Sequence, residues 1–134
     1  MKHTLSVLVE NKPGVLTRVA GLFARRGFNI DSLVVAETEN PVVSRMTITV
    51  DEQDHPVEQV SKQLHKLINV LKITDLDPAG SVERELLLLK VKADAQSRSE
   101  IMQIVEIFRA KIVDVSPEVI IIEMTGTRDK VSAF

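Results

Sequence analysis

Apolar and polar residues alternate over Thr4–Glu10, with Leu5, Val7 and Val9 on one face and Ser6 and Glu10 on the other. A period of two over that length predicts a half-buried β-strand, whose second face Leu8 makes partly apolar. Glu10-Asn11-Lys12-Pro13-Gly14 is turn chemistry. The period then becomes helical. Val15, Leu16, Val19, Leu22 and Phe23 share one face of a helix predicted from Gly14 to Arg26. Pro13 suits the first turn, where its missing N–H costs little. Arg25 and Arg26 stand where the helix dipole favours cations, and Gly27 is a natural stop.

Asn29–Glu37 reads as a second strand, with Ile30, Leu33, Val34 and Val35. Glu39-Asn40-Pro41 is a turn. Ser44–Val50 alternates clearly, Met46, Ile48 and Val50 against Arg45, Thr47 and Thr49. After the polar loop Asp51–Pro56, the residues Val57, Val60, Leu64, Leu67 and Ile68 mark a second amphipathic helix. Leu71 and Ile73 mark a fourth strand. The order β-α-β-β-α-β is the split βαβ, ferredoxin-like arrangement. Two helices then cover one face of a four-stranded antiparallel sheet, and the other face meets a partner or solvent.

The pattern restarts after Leu76-Asp77-Pro78-Ala79-Gly80-Ser81. Arg84–Ala93 reads as a strand and Ser97–Arg109 as a helix with Ile101, Ile104, Val105 and Phe108 on one face. Lys111–Ser116 and Val119–Thr125 read as two more strands. Arg109-Ala110-Lys111-Ile112-Val113-Asp114 echoes Arg26-Gly27-Phe28-Asn29-Ile30-Asp31 at an offset of about 83 residues. The fold class expected is α+β: two ferredoxin-like βαββαβ units, residues 1–76 and 82–134, joined by a linker over 77–81. Thr127–Phe134 has room to begin a second helix in the second unit, but no final strand follows. The expectation is a truncated unit, or one completed by another chain.

Composition narrows the function. With 44% hydrophobic and 27% charged residues, the 134-residue chain can build a core, and no apolar run approaches the length of a membrane helix. There is no Cys, which excludes disulfides, thiolate nucleophiles and Cys-ligated metals. The N-terminus enters a strand directly and lacks the apolar core of a signal peptide, so a cytoplasmic location is expected. Trp and Tyr are absent, and the only aromatics are Phe23, Phe28, Phe108 and Phe134. The net charge is −2. Neither fact suits a nucleic-acid binder, which needs stacking platforms and a basic excess.

Catalytic chemistry is hard to find. No nucleophile elbow, zincin, dinucleotide or P-loop motif occurs. His3, His55 and His65 read as surface or half-buried histidines. Asp51, Glu52, Asp54 and His55 read as a solvated acidic loop rather than a metal site. Function is expected in binding or regulation.

Asn11–Leu16 is the most informative stretch. A strand ends, a Pro-Gly step follows and a helix N-terminus opens, where free N–H groups favour a carboxylate. Gly14 lets a ligand approach the backbone. Asn11 offers a donor and an acceptor, which suits a zwitterionic amino acid. Val15, Leu16 and Ile30 offer an apolar wall, and Asn29 is a second amide of the same kind. On spacing alone, a plain turn and helix cap is the preferred reading.

Leu5-Ser6-Val7-Leu8-Val9-Glu10-Asn11-Lys12-Pro13-Gly14-Val15-Leu16 resembles the opening of an ACT domain. Beyond it, Phe23–Leu33, Ser44–Ile48, Lys62–Leu67, Val82–Leu86 and Ile107–Arg109 resemble the small regulatory subunit of acetolactate synthase (acetohydroxyacid synthase). The resemblance spans nearly the whole chain. It implies an N-terminal ACT domain and a C-terminal ferredoxin-like domain, in a non-catalytic subunit that binds a separate catalytic large subunit. That large subunit carries thiamine diphosphate, FAD and magnesium, and this chain carries no cofactor. The resemblance also implies activation of the large subunit, feedback inhibition by valine or another branched-chain amino acid, and a homodimer formed by ACT domains pairing side by side. The family's effector positions fall on Asn11, Gly14, Val15 and Leu16 of one chain with Asn29 and Ile30 of the other. The family's C-terminal domain runs on past the position of Phe134. A stand-alone ACT-type amino-acid sensor or co-regulator is the alternative.

Overall fold

A computed structural model describes residues 2–51 and 56–134. The chain divides into two units, Met1–Ser81 and Val82–Phe134. The first contains β1 (Lys2–Glu10), α1 (Val15–Arg26), β2 (Ser32–Glu37), β3 (Val43–Asp51), α2 (Val57–Leu64) and β4 (Val70–Leu76). Its sheet has the order β2-β3-β1-β4, all neighbours antiparallel. This is the ferredoxin-like arrangement that the hydrophobic pattern implies. Leu5, Val7 and Val9 of β1 and Met46, Ile48 and Val50 of β3 form one core with Val15, Val19, Leu22 and Phe23 of α1 and Val57, Val60 and Leu64 of α2. Both helices therefore cover the same sheet face. Phe23 meets Phe28 edge to face, with ring centroids 5.8 Å apart, which closes the end of α1 onto the core.

Two boundaries and one alternation depart from the periodicity. The second strand begins at Ser32, not Asn29. Phe28 turns into the core, and pairing with β3 starts only where the Asp31 N–H donates to the Thr49 carbonyl at 2.9 Å. The second helix ends at Leu64, short of Ile68. Beyond it the N–H groups of Lys66, Leu67 and Val70 bond to carbonyls three residues back. Those tight turns rotate Ile68 out of the apolar stripe, leaving it 85% exposed. In β4, Val70 and Ile73 pack on the core while Leu71 is exposed. An irregularity in the β1–β4 register between Leu8 and Val9 breaks the simple alternation there.

The second unit contains β5 (Glu85–Lys92), α3 (Arg98–Ile107), β6 (Lys111–Val115), β7 (Val119–Gly126) and α4 (Arg128–Ala133), with sheet order β5-β7-β6. Its core is smaller: Ala93, Val105, Ile120 and Ile122 are buried, with Ile101, Ile112 and Phe134 packed against them. Of the predicted α3 face, Val105 is buried but Ile104 is exposed, because three strands cover less of the helix than four do. The helix predicted to begin at Thr127 is present, with the Thr127 hydroxyl accepting from the Lys130 N–H at 3.4 Å. Among the described residues β5 pairs only with β7, so the edge that β4 covers on β1 has no strand against it on β5.

The repeat is clearest where α1 and α3 end. The Phe28 N–H reaches the Phe23 carbonyl at 2.9 Å, and the Ala110 N–H reaches the Val105 carbonyl at 2.9 Å. Both are Schellman closures around a left-handed residue. That residue is Gly27 in the first unit (φ 71°) and Arg109 in the second (φ 55°). The closures align at one residue less than the sequence echo.

Candidate functional site

The β1–α1 turn is built around two residues. Gly14 caps α1 with φ 88°, in the left-handed region that favours glycine. A Cβ there would meet nothing within 4 Å, so the demand for glycine comes from the backbone and not from crowding. No side chain caps the helix, and the first turn carries no acid. The Val15 N–H bonds to the Lys12 carbonyl at 3.4 Å and the Arg18 N–H to the Gly14 carbonyl at 3.0 Å. The N–H groups of Leu16 and Thr17 have no acceptor among the described residues. They are donors at the positive end of a twelve-residue helix.

Asn11 ties this turn to the β2–β3 hairpin. Its N–H donates to the Val42 carbonyl at 2.9 Å, and its Nδ2 donates to the Pro41 carbonyl at 2.8 Å and to Glu37 Oε1 at 3.3 Å. The side-chain amide is thus oriented, with Oδ1 left as an acceptor. Glu37 adds an exposed carboxylate beside it, a residue that sequence spacing did not single out. Its proximity depends on β2 pairing with β3, which no local motif announces. Val15 is 4% exposed, so its side chain belongs to the core, whereas Leu16 is 44% exposed and presents an apolar surface at the turn.

Asn29 and Ile30 lie elsewhere. Ile30 is half-buried against the core, and Asn29 is exposed, its Nδ2 donating to Asp31 Oδ1 at 3.1 Å. Asp31 Oδ2 meets Lys2 Nζ at 3.0 Å. These residues flank the Ser32 end of β2, whereas Asn11 contacts the Glu37 end. The six-residue strand between separates the two groups by about 20 Å. One chain does not bring the six residues together.

The strand between them is itself unprotected. β2 is exposed along its whole length and, among the described residues, pairs on one side only. Leu33 and Val35 stand opposite the core residues Ile48 and Met46, yet both remain exposed because neither helix covers this edge. The strand carries no Pro or Lys to discourage pairing.

Other sequence features stay silent. His3 is half-buried, with Nδ1 2.7 Å from Asp75 Oδ1, and His65 is exposed at the end of α2. Glu52, Asp54 and His55 of the acidic loop lie outside the described residues. No cluster of three or more His, Cys, Asp or Glu able to hold a metal occurs among the described residues, and no helix there is long and apolar enough to cross a membrane.

Residues 5–72 match the family model described as AHAS small subunit-like ACT domain, and residues 84–134 match that of the small subunit of acetolactate synthase. The chain belongs to the acetolactate synthase small-subunit family. It is 60% identical over 132 residues to the acetolactate synthase small subunit of Mycobacterium avium, covering 98% of this chain and 79% of that one. It is 60% identical over 134 residues to a probable acetolactate synthase small subunit of Archaeoglobus fulgidus, covering 100% of this chain and 84% of that one. The crystal structure of the Thermotoga maritima small subunit superposes with a TM-score of 0.91 at 53% identity, over 99% of this chain and 83% of the other. Membership of a small-subunit family implies a catalytic subunit as partner.

Proposed function

We propose that this chain is the regulatory subunit of acetolactate synthase and binds valine, or another branched-chain amino acid, between two copies of its ACT domain. Binding there inhibits a catalytic subunit that the chain otherwise activates. The chain contributes no catalytic group of its own; the thiamine diphosphate, FAD and magnesium chemistry belongs to the large subunit.

The observation that carries this reading is the separation of Asn11 from Asn29 by the length of an exposed edge strand. Antiparallel pairing of β2 with β2 of a second copy, about a two-fold axis, lays the Glu37 end of one strand beside the Ser32 end of the other. Asn11, Gly14 and Leu16 of one chain then meet Asn29 and Ile30 of its partner, twice per dimer. The free N–H groups of Leu16 and Thr17 receive the ligand's carboxylate. Asn11 Oδ1 and Glu37 accept from its ammonium, and Leu16 and Ile30 border the aliphatic side chain. A ligand that touches two chains biases their arrangement and couples that bias to a bound partner.

Subunit complementation tests it. Asn11→Ala and Asn29→Ala dimers are each expected to lose valine binding in a calorimetric titration. Mixed and allowed to exchange, they form heterodimers with one intact site, recovering about a quarter of the wild-type capacity. No recovery after verified exchange places the site within one chain and overturns the shared site.

A further inference from the structure

The outward surface of the first unit's helix layer is basic. α1 carries Arg18, Arg25 and Arg26 and no acidic residue. α2 and the turn after it add Lys62 and Lys66 against the single carboxylate of Glu58. All five cations are exposed, and none is in an ion pair among the described residues. Among the described residues only Arg18 of these five has a side-chain bond, donating from Nη1 to Asn69 Oδ1 at 2.7 Å. This local excess sits in a chain whose net charge is −2.

A groove of about 640 Å³ opens on the same layer, lined by Thr17, Arg18, Gly21, Ala24, Arg25 and Leu67. Its α1 wall is low. A Cβ at Gly21 would meet nothing within 4 Å, so another backbone can approach the helix closely. Leu67 supplies an apolar contact, and the neighbouring Ile68 stands fully out from the surface. Leu67 leads into β4, the sheet edge opposite β2, so pairing through β2 leaves the groove uncovered.

We propose that this groove docks an acidic amphipathic segment of the acetolactate synthase catalytic subunit. The proposal rests on the regulatory-subunit reading above and adds the surface through which it acts. Arg18 and Arg25 in the groove lining, with Arg26, Lys62 and Lys66 exposed on the same helix layer, complement a carboxylate-rich helix or loop that carries a few aliphatic anchors. The charges steer the encounter and set the register, while the small residues allow close packing. A polynucleotide fits less well, because the groove has no aromatic platform and the whole chain is anionic.

The test uses the full chain, with the catalytic subunit from the same organism immobilised for a binding titration. Arg18 is left intact because it satisfies Asn69. The triple variant Arg25→Glu, Lys62→Glu, Lys66→Glu is compared with the triple Gln variant and with Arg45→Glu on the opposite sheet face. The Glu variant is expected to weaken binding by at least about tenfold, with the Gln variant intermediate and Arg45→Glu unchanged. Wild-type affinity is expected to fall with salt between about 50 and about 300 mM, and the Gln variant to show a flatter slope. Each variant keeps its valine-induced thermal shift, which certifies the fold. Wild-type affinity in the Glu variant, a salt-independent wild-type interaction, or a loss confined to Arg45→Glu overturns the groove as the docking surface. A wild-type chain that binds no catalytic subunit overturns the regulatory-subunit reading instead, and the docking proposal with it.

Discussion

Asn11 donates its side-chain amide to the Pro41 carbonyl at 2.8 Å, so the turn that opens α1 is fastened to the β2–β3 hairpin. The bond orients Asn11 and holds the turn against the end of β2. Asn11→Ala is expected to cost about 1 kcal/mol of stability from the lost bond. In the proposed site it also removes an acceptor for the ligand's ammonium, and calorimetrically detectable valine binding is lost. Chemical denaturation and calorimetry measure the two effects separately.

At Gly14 the backbone and the ligand make different demands. Any L-residue at φ 88° is strained, by roughly 1–2 kcal/mol. Gly14→Ala is expected to lower stability by about that amount and to keep valine sensitivity once folded. Gly14→Asp carries the same strain and also sets a carboxylate where the proposed site receives the ligand's carboxylate. Inhibition assays with the catalytic subunit should find Gly14→Asp activating but insensitive to valine. Full sensitivity in a folded, activating Gly14→Asp chain would sink the assignment.

In the proposed dimer, the exposed apolar edge of β2 is the interface. The double variant Leu33→Lys, Val35→Lys puts like charges across the proposed two-fold axis. Sedimentation should show a monomer at concentrations where the wild type is dimeric. The stabilisation by valine, about 2.7 kcal/mol at 100 times Kd, should vanish with it. A dimeric variant that still binds valine would exclude β2 from the interface.

The two helix closures differ in their left-handed residue. Gly27 occupies that conformation freely, whereas Arg109 at φ 55° does not. Arg109→Gly is expected to relieve that strain and stabilise the second unit by up to about 1 kcal/mol, less than the full strain because glycine adds unfolded-state entropy. A higher denaturation midpoint for that unit, with unchanged activation, checks it.

Acid should loosen the start of α3. Asp94 Oδ1 accepts from the Ser97 N–H at 2.8 Å, the Ser97 hydroxyl at 3.0 Å and the Gln96 N–H at 3.0 Å. The bonds from Ser97 above all, with that from Gln96, hold the carboxyl below its ordinary aspartate range. A depressed folded value means that the stabilisation is present above the unfolded pKa and is lost as pH falls through the folded one. The gap in Tm between wild type and Asp94→Asn should therefore be widest near neutrality and close as the solution is acidified.

Much of this was legible in the chain. The period-two runs in β1 and β3, the helical stripe of α1 and the Pro13-Gly14 and Gly27 signals report local backbone preference and one-sided burial, which sequence encodes directly. The start of β2, the end of α2 and the exposure of Ile68 were not legible. They depend on where β3 offers Thr49 as a partner and on how tightly the chain turns after Leu64.

By itself, the sequence determined two ferredoxin-like units and the glycine at the mouth of α1, and its family resemblance supplied the six residues expected around an effector. Tertiary structure alone decided that those six fall at opposite ends of one exposed strand, that Glu37 stands beside Asn11, and that Arg18 and Arg25, two of five exposed cations of the helix layer, line a groove. The reason is physical. Periodicity specifies which side of an element faces the core. Register, strand order and helix placement specify which elements become neighbours, and those arise only when distant segments pair.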